Sequence, residues 1–137
     1  MKNTILSLLV LLIVTCVGCG DRTVVETDGA PEAAALKNVS VEEASRALES
    51  KKAQFVDVRT SAEYTGGHAA GAVNLPLDSL AGNLGGLDRE RPVYVICESG
   101  RRSQKGAEIL MQNGFREIYN VEGGTSAWTA AGLPTEK

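Results

Sequence analysis

A single α/β domain with a mainly parallel sheet is the fold class that this sequence predicts, on three observations. The chain has 137 residues, 43% of them hydrophobic, enough for one domain with a real core and too few for two. From about residue 41 onward, short β-rich runs alternate with stretches of helical periodicity, the pattern of strand–helix–strand units. The run Pro92 to Ile96 (P-V-Y-V-I) is apolar with no polar face, as expected of a strand covered on both sides.

The elements follow in order. Ser40-Val41-Glu42-Glu43 has capping-box spacing, and Val41, Ala44 and Leu48 share one helical face, so a helix is predicted from about Val41 to Ser50. Gln54 to Val58 (Q-F-V-D-V) is a short strand. Thr60 and Glu63 repeat the capping-box spacing and start a short helix that Gly66-Gly67 ends. Ala72 to Leu75 is a strand stopped by Pro76, and Asp78 caps a weak helix through Leu84, weak because of Gly82, Gly85 and Gly86. After the strand Pro92–Ile96, a helix spans Ser103 to Asn113, with Ala107, Leu110 and Met111 on one side and Gly114 past its end. Glu117 to Val121 forms a strand, and Ser126 to Ala131 a last helix with Trp128 as a core residue. No repeat or low-complexity stretch interrupts this order.

Composition excludes several function classes. A net charge of −3 without runs of lysine or arginine argues against a nucleic-acid partner, since phosphate binding needs clustered positive charge. Cys97 is the one cysteine of the body, which excludes a disulfide framework there, and with one histidine, His68, no metal site is expected.

The start of the chain has a different character. Met1-Lys2-Asn3 is basic, Ile5 to Val14 is apolar, and Thr15-Cys16-Val17-Gly18-Cys19 follows, the shape of an export signal. The apolar stretch is shorter than the ~20 residues that cross a bilayer as a helix. Gly18-Cys19 resembles the bacterial lipobox, in which the cysteine becomes the lipidated first residue; Cys16 stands where leucine is usual. The expected organisation is a lipoprotein-type signal peptide over 1–18, a polar tether over 19–36 and the α/β domain over 37–137. Lipidation of Cys19 would anchor the protein to a bacterial membrane. Ordinary cleavage and an uncleaved anchor are the alternatives, and the anchored readings place the body on the periplasmic side.

In an open parallel sheet, ligands gather at the carboxyl ends of the strands, so the turn after the most buried strand is the place to look for chemistry. That turn is Cys97-Glu98-Ser99-Gly100-Arg101-Arg102-Ser103. The free N–H groups of the helix that follows point at an anion in the loop's centre, and Arg101 and Arg102 add positive charge while Glu98 subtracts some. An ordinary thiol titrates near 8.5 and is only slightly ionised at neutral pH; helix ends and neighbouring cations lower that value. Gly100 lets successive N–H groups turn inward as a nest. The competing explanation, an inert buried cysteine, does not account for a glycine and two arginines in the next five positions.

The loop C-E-S-G-R-R-S resembles the active-site loop of single-domain members of the rhodanese family, often Cys-x-x-Gly-x-Arg-Ser. Further matches are F-V-D-V-R-T-S-A-E-Y (Phe55 to Tyr64), G-H-A-A-G-A-V-N-L-P (Gly67 to Pro76) and E-G-G-T-S-A-W-T-A-A-G-L-P (Glu122 to Pro134), in the family's order. The resemblance covers about Val39 to Pro134. It implies a five-stranded, mainly parallel sheet flanked by helices, and a sulfurtransferase that needs no metal or organic cofactor. Cys97 would be the catalytic sulfur carrier, taking sulfane sulfur from a small donor, thiosulfate or a persulfide, and passing it to a thiol or cyanide acceptor.

By the same resemblance the backbone of Glu98, Ser99, Gly100, Arg101, Arg102 and Ser103 would bind the substrate and persulfide anion. Arg102 would hold the loop, Arg101 would face solvent and attract the donor, and Ser103 would cap the helix or donate to the persulfide. Asp57, Arg59 and His68 match structural polar positions of the family, and Glu63 is expected only to cap its helix. Ala69-Ala70 depart from the usual Ile-Pro of the Gly-His turn. Glu98 beside the nucleophile disfavours small dianions and favours a persulfide or carrier-protein donor.

Two rival functions follow from the same residues. A phosphatase or arsenate reductase wraps its oxyanion with an arginine six places after the cysteine. Here residue 103 is a serine, and the arginines stand four and five places on. The other rival is a binding module that accepts a persulfide or docks a partner without turnover.

Overall fold

Two apolar faces on one strand decide the architecture. In β5 (Val93–Ile96), Val93 and Val95 enter one hydrophobic cluster and Tyr94 and Ile96 the other, so both faces of the sheet must be covered. The computed structural model describes residues 33–137; the expected signal segment, Cys16 and Cys19 lie outside the described residues.

The first strand, β1 (Ala35–Val39), leads into α1 (Val41–Glu49), which begins where Ser40 Oγ accepts from Glu43 N–H at 3.2 Å. β2 (Gln54–Asp57) is followed by α2 (Ser61–Gly66), then the two-residue strands β3 (His68–Ala69) and β4 (Val73–Asn74). Two 3-10 turns, Leu77–Gly82 and Leu84–Gly86, precede β5; α3 (Arg101–Gln112), β6 (Glu117–Val121), α4 (Gly124–Ala130) and β7 (Thr135–Glu136) complete the order. Among the described residues five strands pair in the order β1-β6-β5-β2-β4, every pair parallel. β3 and β7 form a separate antiparallel pair.

One face of the sheet, with Val56, Val95 and Ile118, packs with Ala107 and Leu110 of α3 and with Leu80 and Leu84 of the 3-10 turns. The other, with Phe55, Tyr94, Ile96 and Val121, packs with Val41 and Ala44 of α1 and with Trp128 of α4. Trp128 is 1% exposed, lies 5.4 Å from the Phe55 ring between centroids, and donates Nε1–H to Pro134 O at 2.8 Å. Its amphipathic side chain is thus satisfied inside the core.

The structure corrects several of the elements expected from the sequence. β1 takes in Ala35 and Leu36, which the sequence places in the tether; its composition gives no strand signal, and it forms by pairing along its length with β6. The expected helix from Asp78 to Leu84 is two 3-10 turns, because the glycines at 82, 85 and 86 deny an α-helix its propensity. α3 starts at Arg101 and α4 at Gly124, each two residues before the predicted start, because Gly100 and Gly123 cap them with positive φ values of 95° and 73°. β3 and β7 are too short for any periodicity to announce them.

Candidate active site

Three neighbouring strands, β6, β5 and β2, end side by side, and the chain that leaves each of them contributes to one site. β5 delivers Cys97, β2 delivers Asp57 and Arg59, and β6 delivers Asn120 and the turn into α4. Cys97 is 1% exposed, and the pocket it sits in is built from N–H and O–H groups. Gly100 N–H donates to Sγ at 3.1 Å, and Ser103 Oγ lies 3.4 Å from it. The backbone N–H groups of Ser99 and Ser103 also face the sulfur. Gly100 adopts a φ of 95°, the left-handed conformation that lets the loop curl around its own cysteine.

Burial pushes the Cys97 thiol up, since it removes water from the anion. The hydrogen bonds from the Ser103 hydroxyl and from the N–H groups of Ser103, Ser99 and Gly100 outweigh that and hold the thiol below its ordinary value. The thiolate gains population as pH rises and reaches half at a pH below the ordinary thiol midpoint. Thiolate absorbance, taken as the difference between the protein and its Cys97→Ser variant, is expected to titrate below the midpoint of an ordinary cysteine thiol in the same buffer. A midpoint at or above that reference would mean that burial wins.

The arginines take different parts. Arg102 Nη2 and Nη1 grip the two carboxylate oxygens of Glu63 at 2.7 and 2.9 Å, a bidentate pair whose charges largely match each other. Glu63 also closes the α2 capping box through Thr60, so it joins α2 to the start of α3 and is more than a cap. This pairing holds the Glu63 carboxyl well below the usual carboxylate range, chiefly through the hydrogen bonds from Arg102. The stabilisation is present above the ordinary carboxylate range and is lost as pH falls through the depressed value. Arg101 is exposed and, with Glu98, Ser99, Arg102 and Lys105, lines an opening of about 490 Å³ beside the loop.

Arg59, 4% exposed, is held by Asp57 through its Nε at 3.0 Å and Nη2 at 2.8 Å, and donates to Gly67 O at 2.8 Å. Its Nη1 reaches Glu98 Oε2 at 3.3 Å, while Glu98 Oε1 accepts from Ser126 Oγ at 2.7 Å. Glu98 is thus drawn aside by a cation and a hydroxyl. His68 stacks on Tyr64 with centroids 3.6 Å apart, places Nδ1 3.0 Å from Tyr64 O and brings Nε2 within 3.7 Å of Glu136. Its partners join α2, β3 and β7 and do not include Cys97.

Sequence reasoning missed the side of the site built by β6 and α4. Thr125 N–H donates to Cys97 O at 2.7 Å, with Thr125 Oγ1 3.2 Å from the same oxygen, and Ser126 N–H donates to Glu98 O at 3.2 Å. A Cβ on Gly124 would overlap Cys97 O and the Glu98 carbonyl, at a φ of 57°. Gly124→Ala is expected to destabilise by at least about 1–3 kcal/mol from the backbone alone and to raise the thiolate midpoint. Denaturant unfolding and the absorbance titration check both parts. Asn120, buried in β6, accepts from Ser103 Oγ at 2.6 Å. A polar residue in an otherwise apolar strand was the available signal for it.

Comparison with known proteins agrees with this geometry. The family model described as a rhodanese-like domain matches residues 40–131. The thiosulfate sulfurtransferase GlpE of Shewanella oneidensis is 38% identical over 96 residues, 70% of this chain and 95% of that protein. Its namesake in Vibrio cholerae is 35% identical over 99 residues, 72% and 93% of the two chains. Among solved structures, a rhodanese-like domain protein of Staphylococcus aureus superimposes with a TM-score of 0.62 at 39% identity, covering 67% of this chain and 90% of that one. A rhodanese-related protein of Thermoplasma volcanium gives 0.66 at 30%, covering 73% and 97%. With its parallel sheet, its cysteine loop and a family model that spans most of its length, this chain belongs to the rhodanese-like domain family.

Proposed function

We propose that the protein is a sulfurtransferase that carries sulfane sulfur on Cys97, from thiosulfate or a persulfide donor to a thiol or cyanide acceptor. In the first half-reaction the Cys97 thiolate attacks the donor's outer sulfur. A new S–S bond forms as the donor's bond to that sulfur breaks, and the electron pair leaves with sulfite, or with a thiolate when the donor is a persulfide. In the second, the acceptor attacks the terminal sulfur and Cys97 departs as thiolate. The N–H groups of Ser99, Gly100 and Ser103 solvate the sulfur anion in both, without reorganisation at the moment of reaction.

The observation that carries this reading is a buried sulfur ringed by donors and held below the ordinary thiol range. Ser103, six places after Cys97, is part of that ring, at the position where phosphate-handling loops need an arginine. The test is intact mass after incubation with thiosulfate, with sulfite measured alongside. One added sulfur atom on Cys97 and one sulfite released are expected. No sulfur added from thiosulfate or from a small persulfide would overturn the reading, and loading without delivery to cyanide or a thiol would leave a carrier module.

We also propose that Cys19 is lipidated and anchors the domain at the periplasmic side of a bacterial membrane. The basic start, the apolar run and Gly18-Cys19 support it. Acyl label on the mature protein, lost in Cys19→Ala, is the check.

A further inference from the structure

Ser103 has one hydroxyl hydrogen and faces two acceptors. Its Oγ is 2.6 Å from Asn120 Oδ1 and 3.4 Å from Cys97 Sγ, with Ser103 fully buried and Asn120 5% exposed. A hydroxyl donates to one acceptor at a time. The 2.6 Å contact is short for O–H···O, so with the amide oriented as it stands the hydrogen lies on Asn120 and Ser103 meets the sulfur with its lone pairs. That arrangement suits a thiol, which has a proton to donate. A thiolate or persulfide anion needs the reverse. The orientation of Asn120 is set from its far side, where Nδ2 donates to Asn38 Oδ1 at 3.1 Å. Asn38 is an exposed residue of β1, in contact with water that can satisfy its amide in either orientation.

We propose that Asn120 is a positioning residue whose amide turns over to move the Ser103 hydrogen from Asn120 to the Cys97 sulfur when that sulfur becomes an anion. In the thiol form S–H donates to Ser103 Oγ, Ser103 donates to Asn120 Oδ1, and Asn120 Nδ2 donates to Asn38. On ionisation the S–H bond breaks, its proton leaves to water at the loop opening, and the electron pair stays on sulfur. Ser103 then donates to sulfur, Asn120 Nδ2 donates to Ser103 Oγ, and the turned amide of Asn38 donates to Asn120 Oδ1. Each state has three hydrogen bonds, so the relay passes between them without leaving a buried polar group unpaired. The inference rests on Cys97 being the reactive sulfur and is independent of which donor loads it.

The charged groups around the thiol come from several elements. Glu98 is its neighbour in the loop, Arg101, Arg102 and Lys105 lie on α3, Glu63 of α2 pairs with Arg102, and the Asp57–Arg59 pair stands at the end of β2. β6 and α4 themselves bring neutral groups, Asn120 and Thr125, and the turn between them carries Glu122, whose backbone lies beside Gly100. A residue placed at 38 therefore acts on Cys97 either through the relay or through distant charge, and the two are separable.

The test is the thiolate midpoint of the full chain, measured by absorbance against the matching Cys97→Ser protein. Asn38→Asp only accepts, so it holds the amide in its present orientation and raises the midpoint. Asn38→Lys only donates, so it favours the turned amide and lowers it. The two are expected to differ by about one pH unit. In Ser103→Ala and in Asn120→Leu backgrounds the relay is broken, and the difference should shrink to about a third or less, the screened effect of charge alone. An equal difference with and without Ser103 overturns the proposal, as does no difference in the parent. Asn38 and Ser103 variants decide the matter even where Asn120→Leu does not fold. No sulfur donor enters the measurement, so a protein that fails to load from thiosulfate still shows whether the relay operates.

Discussion

Replacing Cys97 by serine is expected to abolish sulfur transfer, by at least about a thousandfold, with the fold intact. The serine oxygen still accepts from Gly100 N–H and still pairs with the Ser103 hydroxyl, so the loop retains its shape. What is lost is the chemistry: a hydroxyl is not ionised at neutral pH and forms no S–S bond. The measurement pairs turnover with intact mass after exposure to donor. The variant should take up no sulfur, and its unfolding midpoint should lie close to the parent's. Residual turnover within tenfold of the parent would assign the transfer to another group and remove the basis of the proposed function.

The second large effect is on stability. Asp57→Ala should cost about 3–5 kcal/mol, because Arg59 is left buried without its counter-charge. Asp57 is fully buried and accepts from the Arg59 backbone N–H at 2.9 Å as well as from the guanidinium. The remaining partners, Gly67 O and the half-exposed Glu98, do not replace a carboxylate. Activity should fall as well, since Arg59 is the cation that draws Glu98 aside. Urea unfolding gives the cost, and a loss under about 1 kcal/mol would show that water reaches Arg59 once Asp57 is gone. Asp57→Asn keeps two acceptor lone pairs and should cost less.

Legibility in the sequence divides by range. The loop from Cys97 to Ser103 could be read because a strand end, a glycine and a helix start are neighbours in sequence, and their geometry is local. Asp57 and Arg59 were legible only through the family resemblance, as structural polar residues at the end of a strand. The partners that complete the site were not: Thr125 meets Cys97 28 positions away, and Glu63 meets Arg102 across 39. Glu63 already had a local explanation as a capping residue, which concealed its second partner. β1 escaped for the same reason, since Ala35 to Val39 becomes a strand only because β6 lies beside it.

The grip of α4 on the loop sets the polarity of two peptide units there, through Cys97 O and Glu98 O. A trans peptide is flat, with its C=O and N–H pointing in opposite directions. Ser126 N–H fixes the Glu98 carbonyl outward, so the other edge of that plane, the Ser99 N–H, is left facing the sulfur. One part of the anion's solvation, the Ser99 N–H, is therefore dictated by a helix outside the loop. A change that loosens the first turn of α4 would rotate that plane and reverse a dipole beside the sulfur, altering reactivity while the cysteine and its arginines remain untouched.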